Sequence, residues 1–304
     1  MKPVKDDKPK RRKNDILWKG MLEGVFDDLL RFVFPNADRV FDMKRGFEFL
    51  DKELAEMYPE PDRRSDTKFV DKLVKVFQRN GSEEWVLCHV EVQGANDKEF
   101  AKRMFKYYAR IFDRFDRRMT AIAIFTGADG KKLPGIYVQK YMGSELSYKY
   151  NTLCILDYED RDLAAMKNPF ALVMLAGKKA LLKGENLDEI LLKDKLFIAN
   201  LLIKRGYSQE KTNAILTFLH NYVKFGKPET NRTFESEIDR LTDKINTMGI
   251  IEQVKQMKIE AAKEEARIEV ASSLIVETKF SDKKIAAIAR LSESSIKELR
   301  KKAK

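Results

Sequence analysis

Apolar residues recur every three or four positions through residues 16–34, at Leu22, Phe26, Leu29, Leu30 and Val33. That spacing is the stripe of one helical face, and Pro35, which has no amide proton to donate, ends it. A segment of mixed character, Arg45–Ala55, follows. Lys68–Gln78 reads as a strand carrying Val70, Leu73, Val74 and Val76, and Trp85–Gln93 (WVLCHVEVQ) is the most strand-like run in the chain. Arg79-Asn80-Gly81-Ser82 between them are turn residues, so the pair predicts an antiparallel hairpin. The period returns to that of a helix over Asp97–Arg118, with Phe100, Met104, Tyr107, Tyr108, Ile111 and Phe115 on its apolar side. Thr120–Phe125 (TAIAIF) reads as a buried strand, and Ile136–Tyr141 and Leu153–Leu156 as further strands. Residues 16–160 therefore predict helix, hairpin, helix and strand, a mixed α/β core.

From Asp160 onward the pattern is helical: Pro169–Lys183, Leu187–Arg205, Ser208–Phe225 and Glu235–Leu274. The last of these carries Ile238, Leu241, Ile245, Met248, Ile251, Val254 and Met257 at spacings of three and four, without a clean heptad. In Ser281–Lys304, Ser281 is placed to cap a helix with Ile285, Ile288 and Ala289. Leu291-Ser292 makes a turn, and a second helix carries Ile296 and Leu299. The expected organisation is a disordered basic arm over 1–15, an α/β core over 16–160, a helical region over 161–274 and a helix-turn-helix-like tail over 275–304.

Composition narrows the chemistry. The 304 residues suffice for one large domain or two ordinary ones, and the apolar fraction of 43% supports a sizeable core. A formal charge of +11 favours polyanionic partners, nucleic acid first and acidic membrane second. The arm contributes seven Lys/Arg against three Asp, which is either a phosphate contact or a solubilising tail. Two cysteines, Cys88 and Cys154, exclude a disulfide framework and a four-thiolate zinc site, and two histidines, His89 and His220, exclude a histidine-rich one. Any metal must then be held by oxygen, which favours Mg²⁺ or Mn²⁺. The apolar runs Ala121–Phe125 and Pro169–Ala176 are too short to span a bilayer, and the N-terminus does not read as a secretory signal, so a cytoplasmic protein is expected.

The hairpin is the candidate site. Glu91 and Gln93 are two residues apart on one strand and share a face, and folding at Arg79–Glu83 brings Asp71 opposite the end of that strand. An unpaired carboxylate in so apolar a strand costs several kcal/mol or forces protonation. A divalent cation held by Asp71 and Glu91, with the Val92 carbonyl as third oxygen, resolves that cost. Gln93 cannot act as a base and is left to orient water or contact phosphate. The plainer alternative is a surface acid pair opposite cationic partners. Asp66 competes with Asp71, and its position before the strand suits a solvated loop. His89 shares parity with Glu91, and Cys88 has the opposite parity.

These residues carry a family resemblance. Asp71-x-Leu73-x-x-Val76, then Glu91-x-Gln93, then Phe100-x-x-Arg103-Met104-x-x-Tyr107 resemble the Rpn-type recombination-promoting nucleases, also described as transposases, of the PD-(D/E)xK nuclease superfamily. NPFALVMLA and IAAIARLSESSIKEL resemble the family's C-terminal part, so the likeness runs from about residue 17 onward. It implies a restriction-endonuclease-like core, a mixed sheet flanked by helices, followed by an all-helical region. It also implies Asp71 and Glu91 as metal ligands, and a Mg²⁺-dependent (or Mn²⁺-dependent) DNA endonuclease linked to recombination or mobile elements. Gln93 stands where the superfamily usually has lysine. Arg103 and Tyr107, one helical turn apart, would face the site or a phosphate, although Met104 and Ile111 beside Tyr107 equally suit a core residue. Glu23 or Asp27 on the first helix would add a carboxylate. A two-fold homodimer would let each site cut one strand. The alternative is an inactive DNA-binding or assembly protein that keeps the fold. In the tail, Lys297 and Arg300 would lie toward DNA if its second helix enters a major groove. The plainer reading is a helical pair packed on the long helix, since two helices alone bury little.

Overall fold

The predicted first helix is two helices. α1 (Lys8–Gly24) and α2 (Phe26–Val33) meet at Val25, whose φ of −135° and ψ of 28° are not helical. Leu22, Phe26, Leu29 and Leu30 are buried, as their spacing requires. The break accompanies a close approach: a Cβ built on Gly24 would stand 2.6 Å from Cβ of Ala214. The computed structural model describes residues 8–50, 70–91, 99–243, 266–278 and 280–302. α1 starts at Lys8, so residues 8–15 are helical where an irregular arm was expected.

After α3 (Ala37–Val40) come β1 (Glu48–Phe49), β2 (Val70–Phe77), β3 (Glu83–Glu91), α4 (Phe100–Phe115) and β4 (Met119–Phe125). β5 (Ile136–Tyr141) and β6 (Ser144–Lys149) form a separate hairpin, and β7 (Asn151–Cys154) returns to the main sheet. The sheet order is β1-β2-β3-β4-β7. β1, β2 and β3 pair antiparallel, while β4 lies parallel to β3 and β7 parallel to β4. The protein is therefore α/β with a mixed five-stranded sheet.

One face of the sheet presents Leu73, Trp85, Leu87, Ala121, Ala123 and Phe125 to Phe100, Met104, Tyr107 and Ile111 of α4. On the other parity Val74, Val76, Val86, Ile122 and Ile124 are also fully buried. Burial from both sides is why Ala121–Phe125 is a continuous apolar run rather than an alternating one.

The following helices are α5 (Asp160–Ala165), α6 (Phe170–Lys179), α7 (Leu187–Lys204), α8 (Gln209–Tyr222) and α9 (Pro228–Asp243). Phe170–Gly177 of α6 are all buried, which marks a helix enclosed on every side. Trp18 of α1 makes edge contacts with Phe218 and Tyr222 of α8, at ring separations of 4.9 and 5.8 Å. Phe32 of α2 likewise meets Phe170 at 5.5 Å. The compact units are Met1–Thr242 and Asp243–Lys304, so the expected boundary near residue 160 does not separate units. The helices beyond it complete the core that α1 and α2 begin.

Lys195 of α7 is fully buried. Its ammonium donates to the carbonyls of Val223 and His220, at 2.9 and 3.3 Å, at the end of α8. It also lies 4.2 Å from the ring centres of both Phe225 and Phe234.

In the second unit, residues 266–277 are helical, followed by α11 (Asp282–Ala289) and α12 (Glu293–Lys302), the first of the three being α10. Ala271, Ile275, Ile285, Ala286, Ala289 and Ile296 form its core, with Leu274, Phe280, Leu291 and Leu299 packed against them. The helical pair thus packs on the helix before it, as the plainer reading of the tail had it. The expected seam positions Ile245, Met248, Ile251, Val254 and Met257 lie outside the described residues. Among the described residues no helix is long and apolar enough to cross a membrane.

Candidate functional site

β2 and β3 turn through Gln78–Ser82, with Gly81 at a φ of 87°, a conformation that favours glycine. The Asn80 carboxamide accepts from the Ser82 amide at 3.0 Å and from its hydroxyl at 2.8 Å, which tightens the turn. This centres the turn on Asn80 and pairs Asp71 with His89, Lys72 with Cys88 and Leu73 with Leu87. The predicted fold, centred one residue later, set Asp71 opposite Glu91. The observed register differs by two residues, and a shift of two preserves the face.

Asp71, Cys88, His89 and Glu91 are placed through their backbone. Asp71 and Glu91 share the parity of Leu73 and Leu87 and are diagonal neighbours across the β2–β3 ladder. Such neighbours stand about 7–8 Å apart, a span that two carboxylate side chains can bridge to one cation at about 2.0–2.1 Å. Glu91 is the last described residue of β3 and pairs with Phe125, the last residue of β4, which in turn pairs with Cys154 at the end of β7. Asp71, near the start of the antiparallel β2, therefore lies at the carboxyl ends of three parallel strands. Ligands of open α/β sheets bind outside that edge. Gln93, Val92 and Asp66 lie outside the described residues. Among the described residues no three acids, histidines or cysteines cluster as a ready metal cage.

Lys72 escaped sequence reasoning. It belongs to the other parity, with Val74 and Val76, and its side chain is only 1% exposed. Its ammonium donates to Glu23 of α1 and lies 5.0 Å from the centre of the Phe49 ring. A cation within the parity class of the buried valines was the available signal, because a buried lysine requires a counter-charge.

The two accessory acids have different surroundings. Glu23 is half exposed where it meets Lys72. Asp27 sits in a network with Asp28, Arg31 and Lys211: Lys211 of α8 reaches Asp27 at 2.7 Å and Asp28 at 2.5 Å, and Arg31 reaches Asp27 at 2.5 Å. Burial pushes the Asp27 carboxyl up, but hydrogen bonds from Lys211 and Arg31 outweigh it and hold it below its ordinary value. Asp28 is more deeply buried, and burial together with the charge of Asp27 outweighs Lys211 and holds it above.

On α4, Tyr107 is buried in the core cluster, the alternative that Met104 and Ile111 suggested. Arg103 is partly buried, with its guanidinium 5.2 Å from the centre of the Phe100 ring. In the second unit Lys297 is exposed, whereas Arg300 donates to Asp282 at 2.7 Å and to the Phe280 carbonyl at 2.8 Å. Arg300 thus ties α12 back to the start of α11.

Comparisons with protein-family models, curated proteins and solved structures find no match to this chain.

Proposed function

We propose that the chain is a metal-dependent DNA endonuclease of the PD-(D/E)xK type, cytoplasmic, acting in recombination or on mobile elements. The observation that carries this reading is the β2–β3 register. It sets two carboxylate residues diagonally on one parity class, at the carboxyl edge of a mixed sheet flanked by helices. Asp71 and Glu91 would hold Mg²⁺ or Mn²⁺, and the oxygen donor set suits those ions. When bound, such an ion lowers the pKa of a water and stabilises charge on the scissile phosphate. The Val92 carbonyl would add an oxygen, and Gln93 would orient the water without taking its proton. Arg103 would contribute positive charge beside the phosphate, and Glu23 or Asp27 would add a carboxylate, although Glu23 meets Lys72, whose parity is opposite to that of Asp71 and Glu91. Asp27 is already engaged by Lys211 and Arg31. A homodimer would supply one site per DNA strand. The formal charge of +11 supports a polyanionic substrate.

The test is plasmid cleavage by purified protein with Mg²⁺, Mn²⁺ or EDTA, beside Asp71→Ala and Glu91→Ala. Metal-dependent nicking abolished in both variants is the expected result. A wild type that binds plasmid and never cuts it with either metal supports an inactive DNA-binding protein instead. Variants that cut as well as the wild type place the activity elsewhere.

A further inference from the structure

The second unit has its own core and a construction that the catalytic reading leaves unused. Ser281 caps α11, accepting from the Lys284 amide at 3.4 Å. α11 ends at Arg290, whose φ of 53° is left-handed, and the Leu291 amide donates back to the Ala286 carbonyl at 3.1 Å. That backward bond closes a helix sharply, and it turns Leu291 into the core. Ser292 then caps α12, its hydroxyl accepting from the Ser295 amide at 3.1 Å. Two helices are thus joined through Arg290–Ser292, a three-residue link of helix-turn-helix length. Arg300 fixes the pair by its bonds to Asp282 and Phe280, and α10 closes the core.

By helical period, the face of α12 opposite Ile296 and Leu299 carries positions 294, 297, 298 and 301, which are Ser, Lys, Glu and Lys. Ser294 and Lys297 are exposed, as are Lys283, Lys284 and Arg290 before them. Between Lys279 and Lys304 there are nine lysines and arginines against three acids, so this short stretch carries +6 of the chain's +11. Ser294, whose hydroxyl shares a 2.7 Å hydrogen bond with that of Ser292, and the exposed Lys297 are hydrogen-bonding side chains framed by concentrated positive charge, which complements a polyanion with donor and acceptor edges to read.

We propose that the C-terminal unit is a duplex-DNA-binding module in which α12 enters the major groove. Ser294 and Lys297 meet base edges or flanking phosphates, while Arg300 acts within the module as a positioning residue. This stands apart from the nuclease reading, because the module binds DNA whether or not the first unit cuts it.

The experiment is fluorescence anisotropy of the full chain with a labelled 30-base-pair duplex in EDTA, where metal-dependent cleavage is silent. Ser294→Glu/Lys297→Glu should weaken binding at least tenfold. Lys297→Arg, which keeps the charge that neutralises a phosphate, should stay within about threefold. Lys140→Glu/Lys149→Glu, which removes more positive charge from the exposed β5–β6 hairpin, should also stay within about threefold. A duplex methylated at guanine N7 should bind more weakly, since that atom lies in the major groove. The proposal is overturned by a wild type that does not bind, by a double α12 variant that binds like the wild type, or by a hairpin variant that loses as much. Failure of the nuclease reading would appear separately, as binding through α12 without cleavage in any metal.

Discussion

Replacing Lys211 with Met should destabilise the first unit in a way that acid reverses. Lys211 is the cation from α8 that meets both Asp27 and Asp28, and Arg31, the other cation there, is shared with Asp38 at 3.0 Å. Without Lys211, three carboxylates face one guanidinium, and Asp28 keeps only the 3.3 Å contact to Arg31 from this set. Removing one partner of a buried ion pair costs about 3–5 kcal/mol. Here the Lys211 side chain is 24% exposed and Arg31 remains, so a loss of about 2–3 kcal/mol at neutral pH is expected. The pH dependence follows from Asp28, whose carboxyl is already held above its ordinary value of 3.8 by burial and by Asp27. A carboxyl raised in the folded state contributes stability that is present below its unfolded pKa and is lost as pH rises through the folded one. Losing Lys211 raises Asp28 further, so the deficit is full at neutral pH and shrinks as Asp28 protonates on the way down to about pH 4. Asp27, held below its ordinary value, has the opposite sign: its stabilisation is present above that value and is lost as pH falls. Urea unfolding followed by tryptophan fluorescence reads this unit alone, because Trp18 and Trp85 both lie in it and are both buried. Asp28→Asn in the Lys211→Met background should recover most of the loss at neutral pH. A deficit that is constant with pH, or a double variant no better than the single one, would refute the reasoning.

Three other substitutions discriminate similar features. Lys195→Met keeps the volume but leaves the buried carbonyls of Val223 and His220 without that donor, so a loss of about 2–4 kcal/mol is expected in the same urea assay. A change below about 0.5 kcal/mol would mean that relief from burying the ammonium offsets the lost bonds. Lys72→Met should stay within about 1 kcal/mol of wild type, because Glu23 is half exposed and regains water; a loss like that of Lys195→Met would contradict this. Gly24→Ala improves helix propensity by roughly 1 kcal/mol yet forces a methyl to within 2.6 Å of Ala214, so a net loss of about 1–3 kcal/mol is expected, and a gain in thermal midpoint would show that α1 and α8 can part.

Features written in local spacing were readable before the structure. The stripe Leu22–Phe26–Leu29–Leu30, the α4 face from Phe100 to Ile111 and the buried strand Ala121–Phe125 depend on neighbours along the chain, and each appears as expected. What depended on distant partners was not readable. The break at Val25 accompanies the packing of Gly24 on Ala214, nearly two hundred residues away. β6 is polar and mostly exposed, and its turn is Met142-Gly143, with φ of 45° and 85°, rather than the Asn-Gly pair that signals such hairpins. The parity class of Asp71 and Glu91 was legible because a strand's period is two. Their exact rung was not, since it depended on how the Asn80 carboxamide bonds within the turn. Lys72 looked like one more surface lysine until its parity with Val74 and Val76 became a buried layer. The C-terminal helices were visible through Ser281 and the apolar positions up to Leu299, and their packing on the preceding helix, through Ala271, Leu274 and Ile275, is the plainer reading of the tail.

The metal at Asp71 and Glu91 is most directly tested by iron-directed cleavage. Iron(II) substitutes for Mg²⁺ at carboxylate sites and, with ascorbate and peroxide, produces radicals that cut the polypeptide beside the bound ion. Mass spectrometry of the fragments should find cuts around residues 71 and 91 that excess Mg²⁺ suppresses and that Asp71→Ala abolishes. Cuts confined to other segments, or an identical pattern in the Asp71→Ala variant, would contradict a metal centre on this hairpin.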